Sequence, residues 1–150
     1  MNHLEHKEIT SPTLLCDDRG NLNPAAEGWS RFPIYASNLK GHFLRKKKWN
    51  YWCITGSRFL YSITISDVDY MGLIFAYYMD FETGEYAEDT VAVPFGMGVK
   101  MGERVNDTAE YNGKNVKVKF THSGNTILLS TFRKNFSGKT LQSEIKITVP

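Results

Sequence analysis

Cysteine is scarce in this sequence of 150 residues, net charge is scarcer, and long apolar runs are missing. The two cysteines, Cys16 and Cys53, stand far apart and neither belongs to a CxxC pair. The four histidines, His3, His6, His42 and His122, show no zinc-ligand spacing, so the sequence predicts no metal site. His3 and His6 together suggest incidental metal affinity and no more. A formal net charge of +2 is far short of the basic excess of a dedicated nucleic-acid binder. No window approaches the roughly 20 apolar residues of a membrane-spanning helix. Met1 to Leu15 carries His, Glu and Lys where a secretory signal needs an apolar core. These absences predict a cytoplasmic protein with reduced thiols, in which the sequons at Asn106 and Asn135 carry no meaning.

What the sequence does contain is the makings of one globular domain. Hydrophobic residues make up 41% and charged residues 23%, which excludes wholesale disorder and a collagen-like chain. Residues 1–48 read as an irregular arm, broken at Pro12, Gly20, Pro24, Gly28, Pro33 and Gly41, with a short turn near Pro24 to Trp29. From Trp49 to Pro150 the pattern is of strands. Phe59, Tyr61, Ile63 and Ile65 alternate with Leu60, Ser62, Thr64 and Ser66, the mark of a half-buried strand. Gly72 to Asp80 is apolar on both faces, as in a strand covered twice or one lining a cavity. Turn signals at Glu82–Glu85, Asn112-Gly113, Ser123–Asn125 and Phe136–Lys139 separate further strands, the last over Leu141 to Val149. Seven or eight strands at intervals of roughly 8–12 residues predict an all-β, antiparallel barrel or sandwich. If it is a barrel, the last strand closes it against the first; otherwise that strand leaves an open edge suited to self-association or to a further half of the fold.

Chemistry-bearing motifs are few. Arg45-Lys46-Lys47-Lys48 before Trp49-Asn50-Tyr51-Trp52 combines cations with aromatics, as a phosphate-backbone and base-stacking surface would. The near-neutral total favours the plainer reading, a solvated loop entering a strand, and no nucleic-acid partner is expected. Asp67, Asp69 and Asp80 cluster with Glu82 at the ends of one hairpin. They are either proton donors beside an apolar cavity or carboxylates capping turns. Gly96-Met97-Gly98 and Gly102 have the spacing GxGxxxG and no βαβ context, so no nucleotide cofactor is expected. Ser57 lacks a nucleophile elbow, and Cys53 reads as a small buried residue of a strand.

Several motifs, taken in order, resemble one family. Leu14-Leu15-Cys16-Asp17-Asp18-Arg19-Gly20-Asn21-Leu22-Asn23-Pro24, then Gly28-Trp29-Ser30-Arg31, are similar to the opening of the bacterial domain-of-unknown-function 2804 family. Asn38-Leu39-Lys40-Gly41, Lys46 to Trp52, Asp67-Val68-Asp69-Tyr70 and Asp80 to Glu85 continue the likeness. The resemblance brings no established activity with it. It implies a distant likeness to lipocalin-like proteins such as tocopherol cyclases and carotenoid hydratases, which hold isoprenoids in a β-lined cavity. It also implies that this chain corresponds to the N-terminal half of a longer architecture.

The leading expectation is a lipocalin-like β-domain that binds an apolar small molecule, a lipid or isoprenoid. Trp49, Tyr51, Tyr61, Phe75 and Tyr77 are the cavity candidates, chosen for alternation and aromatic character. The alternative is a hydratase or cyclase that protonates an alkene from Asp67, Asp69 or Asp80 and steadies the cation on aromatic faces. A third reading is a structural half-domain that is inactive without its missing C-terminal half.

Overall fold

Alternating apolar residues need a partner surface, and this chain supplies it by folding one sheet over another. The computed structural model describes residues 7–39 and 41–149, so the metal affinity expected of His3 and His6 lies outside the described residues. In the arm, β1 (Thr13–Leu14) pairs in parallel with β2 (Tyr35–Ala36). Between them a single 3-10 turn, Pro24–Ala26, starts where Asn23 accepts a hydrogen bond from the Ala25 amide. The strands β3 (Lys48–Thr55), β4 (Phe59–Asp67), β5 (Met71–Asp80) and β6 (Tyr86–Pro94) form a four-stranded antiparallel meander. A second meander follows, of β7 (Lys100–Met101), β8 (Ala109–Asn112), β9 (Val116–Ser123), β10 (Thr126–Phe136) and β11 (Lys139–Thr148). The fold is all-β and its two main sheets are antiparallel, as the sequence predicts.

The sheets face each other as a sandwich, with β4 against β8 and β6 against β10. Tyr61, Ile63 and Ile65 of β4 and Ile74 and Ala76 of β5 meet Val116, Val118 and Phe120 of β9 and Ile127 and Leu129 of β10. Two polar ties cross the core. The Tyr61 hydroxyl lies 3.0 Å from Thr131 Oγ1 and 3.4 Å from Ser143 Oγ. The Arg133 guanidinium of β10 donates to the Asp89 carboxylate of β6, both largely buried.

Barrel closure, the other form the sequence allowed, is not realised. Among the described residues β3 pairs only with β4, β11 only with β10, and β6 does not pair with β7. The break lies in the connection between β6 and β7. There Phe95, Gly96 and Gly98 take φ of 52°, 61° and 81° and turn the chain out of the first sheet. Gly72 of β5 packs under this connection, where an added Cβ would come within 2.7 Å of Val99 Cγ2.

Turn chemistry explains most of the register. Ser137 and Gly138, with φ of 49° and 83°, form a two-residue hairpin turn between the paired Phe136 and Lys139. The hairpin signalled by Asn112-Gly113 forms, but its turn is shifted. Asn112 stays in β8 opposite Lys117, and the Gly113 amide donates to the Val116 carbonyl at 2.8 Å. Placing the turn at Gly113–Val116 lets Val116 and Val118 point into the core, which outweighs the local preference of Asn-Gly.

Candidate functional site

The five aromatic candidates divide between two faces of the first sheet. Tyr61 points inward and is buried between the sheets. Trp49 and Tyr51 point outward from β3, 63% and 56% exposed, and Phe75 and Tyr77 lie half-buried on the outward face of β5. Along β4 between them runs a row of small hydroxyl residues. Tyr51 and Phe75 flank Thr64, and Cys53 and Tyr77 flank Ser62. Ser62 is buried, as is Ser66, which lies between Trp49 and Leu73. The outward face therefore carries aromatic ridges on either side of a hydroxyl floor. Between the sheets, by contrast, there is a void of about 10 Å³, too small for a ligand.

Each of the three carboxylate candidates holds a turn. Asp80 Oδ1 accepts from the Thr83 and Glu82 amides at 3.0 and 2.8 Å, and these bonds hold its carboxyl below the ordinary value of 3.8. Asp67 Oδ1 accepts from the Asp69 amide at 2.8 Å, and Asp69 accepts from the Leu44 amide. Lys46 Nζ lies 3.3 Å from Asp69 and 3.9 Å from Asp67. The pair thus fastens the arm to the hairpin between β4 and β5.

A different site emerges at the free edge of β3. Here a hollow of about 390 Å³ lies between the arm, β3, and the loop that follows Met101 of β7. The Ser37 amide donates to the Glu103 carbonyl at 2.7 Å and ties the arm to that loop. Pro33, Trp49, Tyr51 and Met101 give the hollow its apolar surface, while Lys48, Glu103 and Arg104 bring charge of both signs. Lys48 is pushed below the ordinary lysine value by desolvation, which the carboxylates of Glu103, Asp107 and Asp67 oppose.

Two buried polar atoms with no hydrogen-bond partner, Tyr35 Oη and Asn50 Oδ1, belong to residues lining this hollow. Leaving such an atom buried and unpaired costs roughly 1–3 kcal/mol, a cost that a polar group entering the hollow would relieve once these two side chains turn toward it. The other two unpartnered atoms of this kind among the described residues are Trp52 Nε1 and His122 Nε2. Their rings lie 5.9 Å apart, and Trp52 follows Asn50 by two residues on the inward face of β3. The alternation that offered Trp49 and Tyr51 as candidates passed over Tyr35, Asn50 and His122. The parity of β3, with Lys48 and Asn50 on the inward side and Trp49 and Tyr51 on the outward side, is a signal for Asn50 alone; Tyr35 and His122 lie on other elements and no pattern in the sequence marks them.

His122 provides a direct check on this polar tract. Desolvation lowers its pKa below the ordinary 6.5, against the opposing pull of Asp107. Its contribution to stability is therefore present above pH 6.5 and is lost as the pH falls through the lowered folded-state value. His122→Gln is expected to flatten the slope of the urea midpoint as the pH falls from 6.5 through the lowered folded-state value. A variant whose slope matches the unsubstituted protein would show that the ring is not desolvated by the sandwich.

The family model described as Domain of unknown function (DUF2804) matches residues 6–150 of the chain. No curated protein and no solved structure matches it. Among the described residues no helix is long and apolar enough to cross a membrane.

Proposed function

The chain belongs to the domain-of-unknown-function 2804 family, and from that premise we propose that it is a β-domain binding an amphipathic small molecule at the free edge of β3. The ligand's apolar body lies over Trp49 and Tyr51, and its polar head enters the hollow toward Tyr35 and Asn50. The observation that carries this reading is the pair of buried, unpartnered polar atoms, Tyr35 Oη and Asn50 Oδ1, in residues that line one hollow. A carbonyl oxygen of Asn50 calls for a donor on the ligand, and a phenol can both give and receive, so a hydroxyl head satisfies both. Lys48 already has Glu103, Asp107 and Asp67 near it, which removes the need for an anionic head. A long-chain or prenyl alcohol has this chemistry.

Binding suits the chain better than proton transfer, because Asp67, Asp69 and Asp80 are each engaged in holding a turn. A titration with 1-decanol and with decanoate, followed through the Trp49 and Trp52 indole resonances, tests the reading. Decanol is expected to shift both signals saturably and decanoate to bind less tightly. Asn50→Leu, which removes the acceptor, should weaken decanol binding about tenfold. Equal affinity of the variant and the original chain for decanol would refute the assignment.

A further inference from the structure

A second hollow, of about 380 Å³, is lined by the basic run and shares no lining residue with the first, so it is independent of the alcohol-binding reading. Gly20, Leu39, His42, Arg45, Lys46 and Lys47 are among the residues around it, and no carboxylate lines it. Lys46 is held by Asp67 and Asp69, whereas among the described residues Arg45 and Lys47 form no ion pair. Two uncompensated cations and a histidine thus converge on a concave surface wide enough for a phosphate group.

The crest of the same loop is apolar. Phe43 and Leu44, directly before Arg45, are 75% and 48% exposed. The backbone of the loop turns these side chains outward. Gly41, His42 and Leu44 have φ of 67°, 50° and 66°, the Arg45 amide donates to the His42 carbonyl at 2.9 Å, and the Leu44 amide is bound by Asp69. Two exposed large apolar side chains next to unpaired cations, at the crest of one loop, match the layering of a bilayer surface: anionic phosphates outside, hydrocarbon just beneath.

We propose that the loop of residues 41–47 docks the protein on an anionic phospholipid surface, with a lipid headgroup phosphate in the hollow beside Arg45 and Lys47 and with Phe43 and Leu44 inserted below it. Charge complementarity selects the anionic leaflet, and the exposed crest selects a membrane over a free phosphate ion.

Co-sedimentation with vesicles tests this. The chain is expected to sediment with phosphatidylcholine vesicles that contain phosphatidylglycerol and not with pure phosphatidylcholine, and to be released as salt rises. Arg45→Gln with Lys47→Gln should weaken binding about thirtyfold, at roughly fivefold per cation near the surface. Phe43→Ser should weaken it about tenfold, and because that side chain is exposed the urea midpoint should not move. Binding equally to both vesicle types, or to neither, overturns the proposal. So does full competition by glycerol phosphate with no effect of Phe43→Ser, which would mark a site for a free phosphate. Capture of a single-stranded oligonucleotide through Arg45 and Lys47 without any vesicle binding would overturn it as well.

Discussion

Replacing Phe120 by alanine is expected to lower the unfolding free energy by about 3–5 kcal/mol, a large part of the stability of an ordinary domain. Phe120 is fully buried near the middle of β9. It is paired with Ala109 of β8 on one side and Leu129 of β10 on the other, and it belongs to the core cluster that contains Ile63 and Ile65 of the facing sheet. Its strand neighbours are held by ladder hydrogen bonds on both sides, so the surroundings have little freedom to collapse into the space left behind. Urea denaturation followed by tryptophan fluorescence gives the value. A loss below about 1 kcal/mol would mean that the sheets close over the gap, and therefore that the filled inter-sheet core is less constrained than its burial implies. The same experiment bears on ligand binding. Because the space between the sheets is taken by side chains, Phe120→Ala should leave decanol binding at the β3 edge unchanged once the variant is folded.

The strands and most turns were legible from the sequence because two local signals agree there. In β4, β9 and β11 the apolar residues alternate cleanly, and Gly84 and Ser137-Gly138 supply the backbone their turns need. Four features escaped it, each for a physical reason. In β5 both faces are apolar, and alternation cannot tell a face that meets another sheet from one that faces solvent. Ile74 and Ala76 went to the core and Phe75 and Tyr77 to the outside. In β3 the aromatic residues suggested an inward face, yet the pairing of Trp52 with Ile63 and of Asn50 with Ile65 puts the polar Asn50 on the core side. Barrel or sandwich was decided by the connection Phe95–Val99: Gly96 and Gly98 announce a turn, but the close approach of Gly96 and Val99 to Gly72 is a tertiary contact that no local pattern shows. The hollow at the β3 edge was the least legible part. It joins Tyr35 of the arm to Asn50 and Glu103, residues far apart in sequence that no periodicity connects.

Asp69 offers a second large effect, and one that separates a turn-holding carboxylate from a proton donor. Asp69 takes φ of 76° in the two-residue turn closed by the Val68 amide and the Met71 carbonyl at 2.9 Å. Its side chain, largely buried, accepts from the Leu44 amide and pairs with Lys46. Asp69→Ala removes both contacts and places a Cβ-bearing residue without a compensating side chain in the left-handed region. Together these should cost about 2–4 kcal/mol, from a lost charge-assisted hydrogen bond and the backbone penalty. Asp69→Gly loses the same contacts but relieves the backbone, so it should be less destabilising by about 1 kcal/mol. Asp69→Asn keeps an acceptor for the Leu44 amide and tolerates this φ, losing only the attraction of Lys46, so it should be the mildest. The expected order of destabilisation is Asn, then Gly, then Ala. Amide exchange at Leu44 and Arg45 should quicken in the Ala and Gly variants and stay slow in Asn. A proton donor would give another pattern, because Asn would then abolish turnover as completely as Ala while hardly touching stability. If all three variants unfold at the same urea concentration, Asp69 does not fasten the arm to the β4–β5 hairpin, and the loop that carries Phe43 and Arg45 is held by something else.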